Sequence, residues 1–209
     1  MTGDSFALAH PGELPGWFGK LPGMGDFAHR RLPEAFRARW DAWLQHGLEG
    51  MRLRHEDWAQ HYLEGPLWCF VLAPDVIGAA PWIGVLMPSV DGVGRYFPFT
   101  VASELKALSP AGWPASNHWW HAAGRAALEG LEQDLDAARF DAALVRHGEP
   151  GAVAGADERA AAPDWPAPGQ SLWLTDPAAA GARRMLTAGL PAGERFDALF
   201  DCGVEMDHE

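Results

Sequence analysis

The segment from Leu67 to Ala102 places three apolar runs close together. Leu67–Ala73 carries no charged or hydroxyl-bearing side chain, whereas a strand with one wet face alternates polar and apolar residues. Such a run belongs in the middle of a sheet covered on both faces. Trp82–Met87 is the second run. Arg95–Ala102 is the third, with Pro98 inside it marking an edge position or a bulge. Pro74-Asp75 turns the chain after the first run, and Pro88–Gly94 is a tight, glycine-bearing loop after the second. Short connections of this kind join antiparallel neighbours, because a parallel return needs a crossover of about a dozen residues or more.

Helical periodicity flanks these strands. Phe36, Trp40, Trp43, Leu44 and Leu48 share one face of a helix that Pro33 opens and Gly47 and Gly50 close. Trp58 and Tyr62 share a face on a second, short helix stopped by Gly65-Pro66. Ser116 caps a long helix with the face Trp120, Ala123, Ala127, Leu128, Leu131 and Leu135. Phe140 and Leu144 mark a shorter helix, and Pro191–Phe200 forms a last one. Trp17–Leu21 and Ser171–Thr175 are further strand candidates. Residues 1–15 form a loose lead-in, and 148–169, rich in Gly, Ala, Pro and charge, a flexible loop. The whole of 1–209 is expected to fold as a single α/β domain.

Composition excludes several functions. A formal net charge of -12 disfavours nucleic acid and anionic lipid, which both recruit clustered Lys and Arg. No signal peptide and no run long enough to span a bilayer is read, so no membrane insertion is expected. The two cysteines, Cys69 in a strand and Cys202 in the polar tail, have no framework spacing and fit a reducing, cytoplasmic setting. The 11 tryptophans are read chiefly as core and rim packing.

Searches for chemistry return little. There is no P-loop, Gly23-Met24-Gly25 is too short for a dinucleotide turn, and Ser89 in Pro88-Ser89-Val90-Asp91-Gly92 lacks the first glycine of a nucleophile elbow. His118 and His121 have helical i, i+3 spacing but no further ligands, so no metal and no cofactor is expected. Cys69, in an apolar strand, is inert. His29 with Arg30-Arg31 reads as a solvated basic patch. Ser89 and Asp91 read as turn formers.

Two motif-dense stretches remain, Gly16–Phe27 and Pro81–Thr100. Asp26 in Gly25-Asp26-Phe27 and Arg95 in Gly94-Arg95-Tyr96 are loop charges hemmed by aromatics. They form either a structural ion pair or part of a contact surface. The protein-interface candidates are Lys20, Asp26, Phe27, Ser89, Asp91, Arg95 and Tyr96, and no catalytic residue is assigned. An enzymatic alternative has Lys20, Asp26, Ser89 and Arg95 meeting between the 23–27 and 88–95 loops.

The stretch Gly16-Trp17-Phe18-Gly19-Lys20-Leu21-Pro22-Gly23-Met24-Gly25-Asp26-Phe27 resembles the opening of the TagF (ImpM) proteins of bacterial type VI secretion clusters. Arg30-Arg31-Leu32-Pro33 through Trp40-Asp41-Ala42-Trp43-Leu44 is similar to that family's next helix. Trp82-Ile83-Gly84-Val85-Leu86-Met87-Pro88-Ser89-Val90-Asp91 and Val93-Gly94-Arg95-Tyr96-Phe97-Pro98 are similar to its core motif. The resemblance implies a cytoplasmic accessory protein, a post-translational negative regulator of secretion. It would work alongside the threonine-phosphorylation pathway and an Fha-like forkhead-associated scaffold or another secretion component. It implies no catalytic activity. A structural or assembly part of the apparatus is the alternative. The family fold, an α/β sandwich with a mixed sheet, agrees with the strand and helix order. The expected architecture is thus a three-layer α-β-α sandwich with a mixed, largely antiparallel sheet.

Overall fold

The computed structural model describes residues 7–109, 112–149, 164–177 and 181–201. Cys202 and most of the expected 148–169 loop lie outside the described residues. Seven strands form one sheet in the order β2-β1-β5-β4-β3-β6-β7. They are β1 Gly16–Gly19, β2 Ala28–Arg30, β3 Trp68–Leu72, β4 Trp82–Met87, β5 Phe99–Glu104, β6 Gln170–Leu174 and β7 Arg184–Ala188. All six pairings are antiparallel. The parallel component of a mixed sheet is therefore not found among the described strands. Four pairs are sequence neighbours on short connections, and the two crossover pairs, β1 with β5 and β3 with β6, also run antiparallel.

The helices are α1 Glu34–Arg54, α2 Trp58–Glu64, α3 Trp113–Glu132, α4 Ala137–Gly148 and a short α5 Glu194–Asp197, followed by a 3-10 turn Ala198–Phe200. They divide between the two faces, which gives the three-layer α/β sandwich. Along β3 and β4 every residue is buried and the side chains alternate between two cores. Trp68, Phe70, Leu72, Trp82 and Leu86 join Phe36, Trp40, Leu44 and Phe196 beneath α1 and α5. Cys69, Val71, Ile83, Val85 and Met87 join Trp113, Trp120, Ala127 and Phe140 beneath α3 and α4.

Several local expectations change. α1 runs through Gly47 and Gly50 to Arg54. Gly47 does not end the helix; a Cβ there would lie 2.2 Å from the Phe196 ring, so its absence admits that ring against α1. Pro98 immediately precedes β5, an interior strand, instead of marking an edge. α3 begins at Trp113, and Ser116 lies inside the first turn with its Oγ donating to the Gly112 carbonyl at 3.0 Å. Asp136 caps α4 by accepting from the Ala138 and Arg139 amides. The lead-in is tied down as far back as residue 7: Ala9 N–H donates to Glu104 O at 2.8 Å and Lys106 N–H to Ala7 O at 3.0 Å.

The large rings need room. Phe70 faces Gly84 across the β3–β4 ladder, and a Cβ at Gly84 would lie 2.1 Å from the Phe70 ring. Overpacking of this kind costs about 1–3 kcal/mol. Gly84→Ala should lower the urea midpoint accordingly, and adding Phe70→Leu should recover part of the loss.

Candidate functional site

The two motif-dense stretches meet at one end of the sheet. β1 ends at Gly19, whose φ of 131° and open α-carbon let the backbone pass the Pro98 carbonyl; a Cβ there would lie 2.2 Å from that oxygen. The chain then turns the next side chain inward. Lys20 is only 4% exposed, and its Nζ lies 3.0 Å from Asp91 Oδ2 and 4.6 Å from the centre of the Phe27 ring.

Asp91 is the hub. Its Oδ2 accepts from Lys20 Nζ and, at 2.5 Å, from Arg95 Nε. Its Oδ1 accepts the Arg95 N–H at 2.8 Å and the Val93 N–H at 3.1 Å. The turn is closed by Gly94 N–H on Asp91 O at 2.9 Å and Asp91 N–H on Arg95 O at 3.1 Å. Burial by itself would raise the Asp91 carboxyl; the Arg95 amide, the Lys20 ammonium, the Arg95 guanidinium and the Val93 amide outweigh it and hold the group well below the usual carboxylate range. Arg95 is raised in turn, first by its hydrogen bond to Asp91.

Ser89 fastens the loop from beneath. Its Oγ donates to the Lys20 carbonyl at 2.6 Å. Tyr62 OH donates to Ser89 O at 2.8 Å and accepts the Ser89 N–H at 2.9 Å. Burial pushes the Tyr62 hydroxyl up, so it stays protonated. Tyr96 wedges between the rings of Trp58 and Tyr62, at 5.1 and 5.5 Å.

All seven sequence candidates therefore come together, six of them in two tiers and half-buried Tyr96 beside them on Trp58 and Tyr62. Lys20, Ser89 and Asp91 are buried and bonded internally. Asp26, Phe27 and Arg95 face out. Asp26 Oδ1 stands 3.4 Å from Arg95 Nη2, with side chains 70% and 55% exposed. Phe27 is 47% exposed while its ring edge packs on Phe97 at 4.6 Å. The neighbouring Val93 is 77% exposed. Sequence reasoning missed Tyr62 and Val93. A buried tyrosine demands a partner for its hydroxyl, but only the fold says that the partner is Ser89.

His29, Arg30 and Arg31 are exposed, as a solvated patch requires, and both arginines bind Asp141 of α4, which also accepts from Trp17 Nε1 at 2.9 Å. Burial would raise Asp141, but Arg31, Trp17 and Arg30 bring it down to about 2. Trp119 and Trp120 are buried. Burial pushes the Cys69 thiol up. Among the described residues no cluster of His, Cys, Asp or Glu could hold a metal, and no described helix is long and apolar enough to cross a membrane.

Fold and site together define an antiparallel α/β sandwich domain whose distinctive polar cluster is a loop clamp. Comparison with known proteins gives that domain a family. The profile of the TagF N-terminal domain, type VI secretion system-associated, matches residues 16–146, and the chain belongs to the TagF family. The crystal structure of PA0076 from Pseudomonas aeruginosa PAO1 is similar to it: 31% sequence identity and a TM-score of 0.73 over 93% of this chain and 97% of that one. No curated protein matches the chain.

The clamp predicts an order of effects. Asp91→Ala strands the buried Lys20 ammonium and should lower the urea midpoint far more than Asp26→Ala, whose carboxylate is exposed. Both depressed carboxylates bind protons more weakly when folded. Their stabilisation is complete above the unfolded value of 3.8 and is lost as pH falls below it, for Asp141 toward about 2. Acid titration followed by tryptophan fluorescence should show stability falling in that window, less steeply in Asp141→Asn.

Proposed function

We propose that this type VI secretion-associated protein acts by binding another protein and not by catalysis, as a post-translational negative regulator of secretion-apparatus assembly in the cytoplasm. Its partner on this reading is an Fha-like forkhead-associated scaffold or another component of the apparatus. The observation that carries the binding part is the two-tier clamp. Its inner groups are consumed in internal bonds, and its outer groups offer a carboxylate, a guanidinium and a phenyl ring on one rim. Such a rim matches what protein interfaces use, an aromatic anchor beside oriented charges. The Ser89 hydroxyl donates to a backbone carbonyl and the Lys20 ammonium is ion-paired, which favours scaffolding over nucleophilic or base chemistry. Neither of the two surface cavities described, one beside Arg31 and Trp82 and one beside Trp119 and Val145, is lined by these residues. The direction of regulation rests on family resemblance.

Asp26→Ala and Phe27→Ala should keep native circular dichroism and weaken capture of an Fha-like partner by about tenfold or more, the scale of an interface hot spot. Undiminished capture by both variants removes the rim as the interface. Deleting the gene separates regulator from apparatus part: secretion of a type VI substrate should rise if the protein represses and vanish if it is structural.

A further inference from the structure

The sheet has two edges, and they are finished differently. The β2 edge is three residues long, and its Arg30 is locked onto Asp141. The β7 edge is longer, and β7 pairs only with β6 among the described residues.

The ladder says which backbone groups β7 turns outward. Thr175 N–H donates to Arg183 O at 3.1 Å, and Gly189 N–H to Gly169 O at 2.6 Å, so these are hydrogen-bonded pairs. Bonded and non-bonded pairs alternate in an antiparallel ladder. Arg184, Leu186 and Ala188, opposite Leu174, Leu172 and Gln170, therefore direct their N–H and C=O groups away from β6. Their side chains share the face opposite Met185 and Thr187. Met185 packs on the core beneath α1, and the Thr187 hydroxyl meets Ser171 Oγ at 2.9 Å. Leu186 is 42% exposed, and Arg184 and Ala188 are exposed beside it.

One outward carbonyl is occupied: Arg195 Nη1 donates to Leu186 O at 2.8 Å. Neither Arg195 nor Arg184 makes an ion pair with a described residue. Among the described residues, two guanidinium groups without carboxylate partners thus stand at an unpaired strand edge, in a chain whose net charge is -12.

We propose that the outer edge of β7 receives an extended, acidic segment of a partner protein as an added strand. Its backbone bonds the outward groups of Arg184, Leu186 and Ala188, one carboxylate meets Arg184, and an apolar side chain covers Leu186. Backbone pairing supplies affinity in strand addition and the alternating side chains supply selectivity. Arg195 serves as a displaceable guard. While the edge is empty it covers a neutral carbonyl, and an incoming carboxylate offers it the stronger, charge-assisted bond. A second copy of this chain fits poorly, because symmetric pairing centred on Leu186 brings both Arg195 guanidinium groups to the same point. The site is separate from the Asp26–Phe27–Arg95 rim and does not depend on it.

The test uses the full chain and a synthetic Glu-Thr-Val-Thr-Glu peptide, matched to the five residues of β7, whose same-face positions set a carboxylate opposite Arg184 and valine opposite Leu186. Amide hydrogen exchange followed by NMR is expected to slow about tenfold or more at Arg184, Leu186 and Ala188 when the peptide is added. The counterpart with lysine in place of both glutamates should have no effect. Leu186→Pro, which removes the central outward N–H, should abolish the protection, and Arg184→Glu with Arg195→Ala should weaken binding about tenfold while leaving the backbone intact. The double variant decides the matter if the proline variant unfolds. No slowing, or equal slowing by the lysine peptide, overturns the proposal. Full protection of these amides in the free protein also overturns it: dependence on protein concentration assigns the edge to a second copy, and independence to another segment of this chain.

Discussion

β3 and β4 have no side chain to give to solvent, so one set of strands must fill two cores at once. The chain solves this by sorting size. The rings of these two strands go to one face, where Trp68, Phe70 and Trp82 meet Phe36 and Trp40 of α1, while the rings of the other core, Trp17, Phe99, Trp120 and Phe140 among them, come from other elements. Smaller aliphatic groups go to the other, where Val71, Ile83, Val85 and Val101 meet the alanines of α3. The ring-filled face works only because two glycines stand aside, Gly84 for Phe70 and Gly47 for Phe196. Trp40 ties the layer to β5 through its Nε1 bond to Thr100 Oγ1 at 2.9 Å, which satisfies the one polar atom that the ring carries inside.

Around this double core, carboxylates hold the periphery. Asp91 joins the turn after β1 to the hairpin before β5. Asp141 joins α4 to the β2 edge. Asp197, 1% exposed, joins the end of α1 to α5 through Arg54 and His55. Each spans a long sequence separation or closes a loop, and each is surrounded by several donors. An ion pair of this kind adds little net stability over an apolar pair, but an unpaired partner is costly, so it selects one arrangement of the elements. The Asp91 pair holds Arg95 at the mouth of the cluster, within 3.4 Å of Asp26.

The central strands, the face of α1 and the short connections were legible in the sequence because apolar runs and helical spacing are local signals. β2 and β7 were not. Ala28–Arg30 is three residues long, and Arg184–Ala188 begins and ends at exposed positions, so neither shows a buried pattern until a neighbour supplies the ladder. The candidate site was legible as a set of residues, since all seven do converge. Their division into a buried tier and an exposed rim was not, because Lys20 and Arg95 look alike as charges in glycine-rich stretches. Gly47 and Gly50 misled for a related reason: glycine marks a helix end in isolation, but inside α1 the first of them is a notch for a ring from α5.

By itself the sequence determined that a mostly buried antiparallel sheet would form, which residues would line it, and, through its motifs, which family the protein belongs to. These follow from side-chain volume and from periodicity along one chain. Only the tertiary structure decided that Lys20 points inward to Asp91 while Asp26 and Phe27 face solvent, and that β7, paired among the described residues with β6 alone, receives Arg195 on its Leu186 carbonyl. Those outcomes depend on which distant groups arrive within hydrogen-bond distance of each other, and that is settled by how the layers pack, not by the order of residues along the chain.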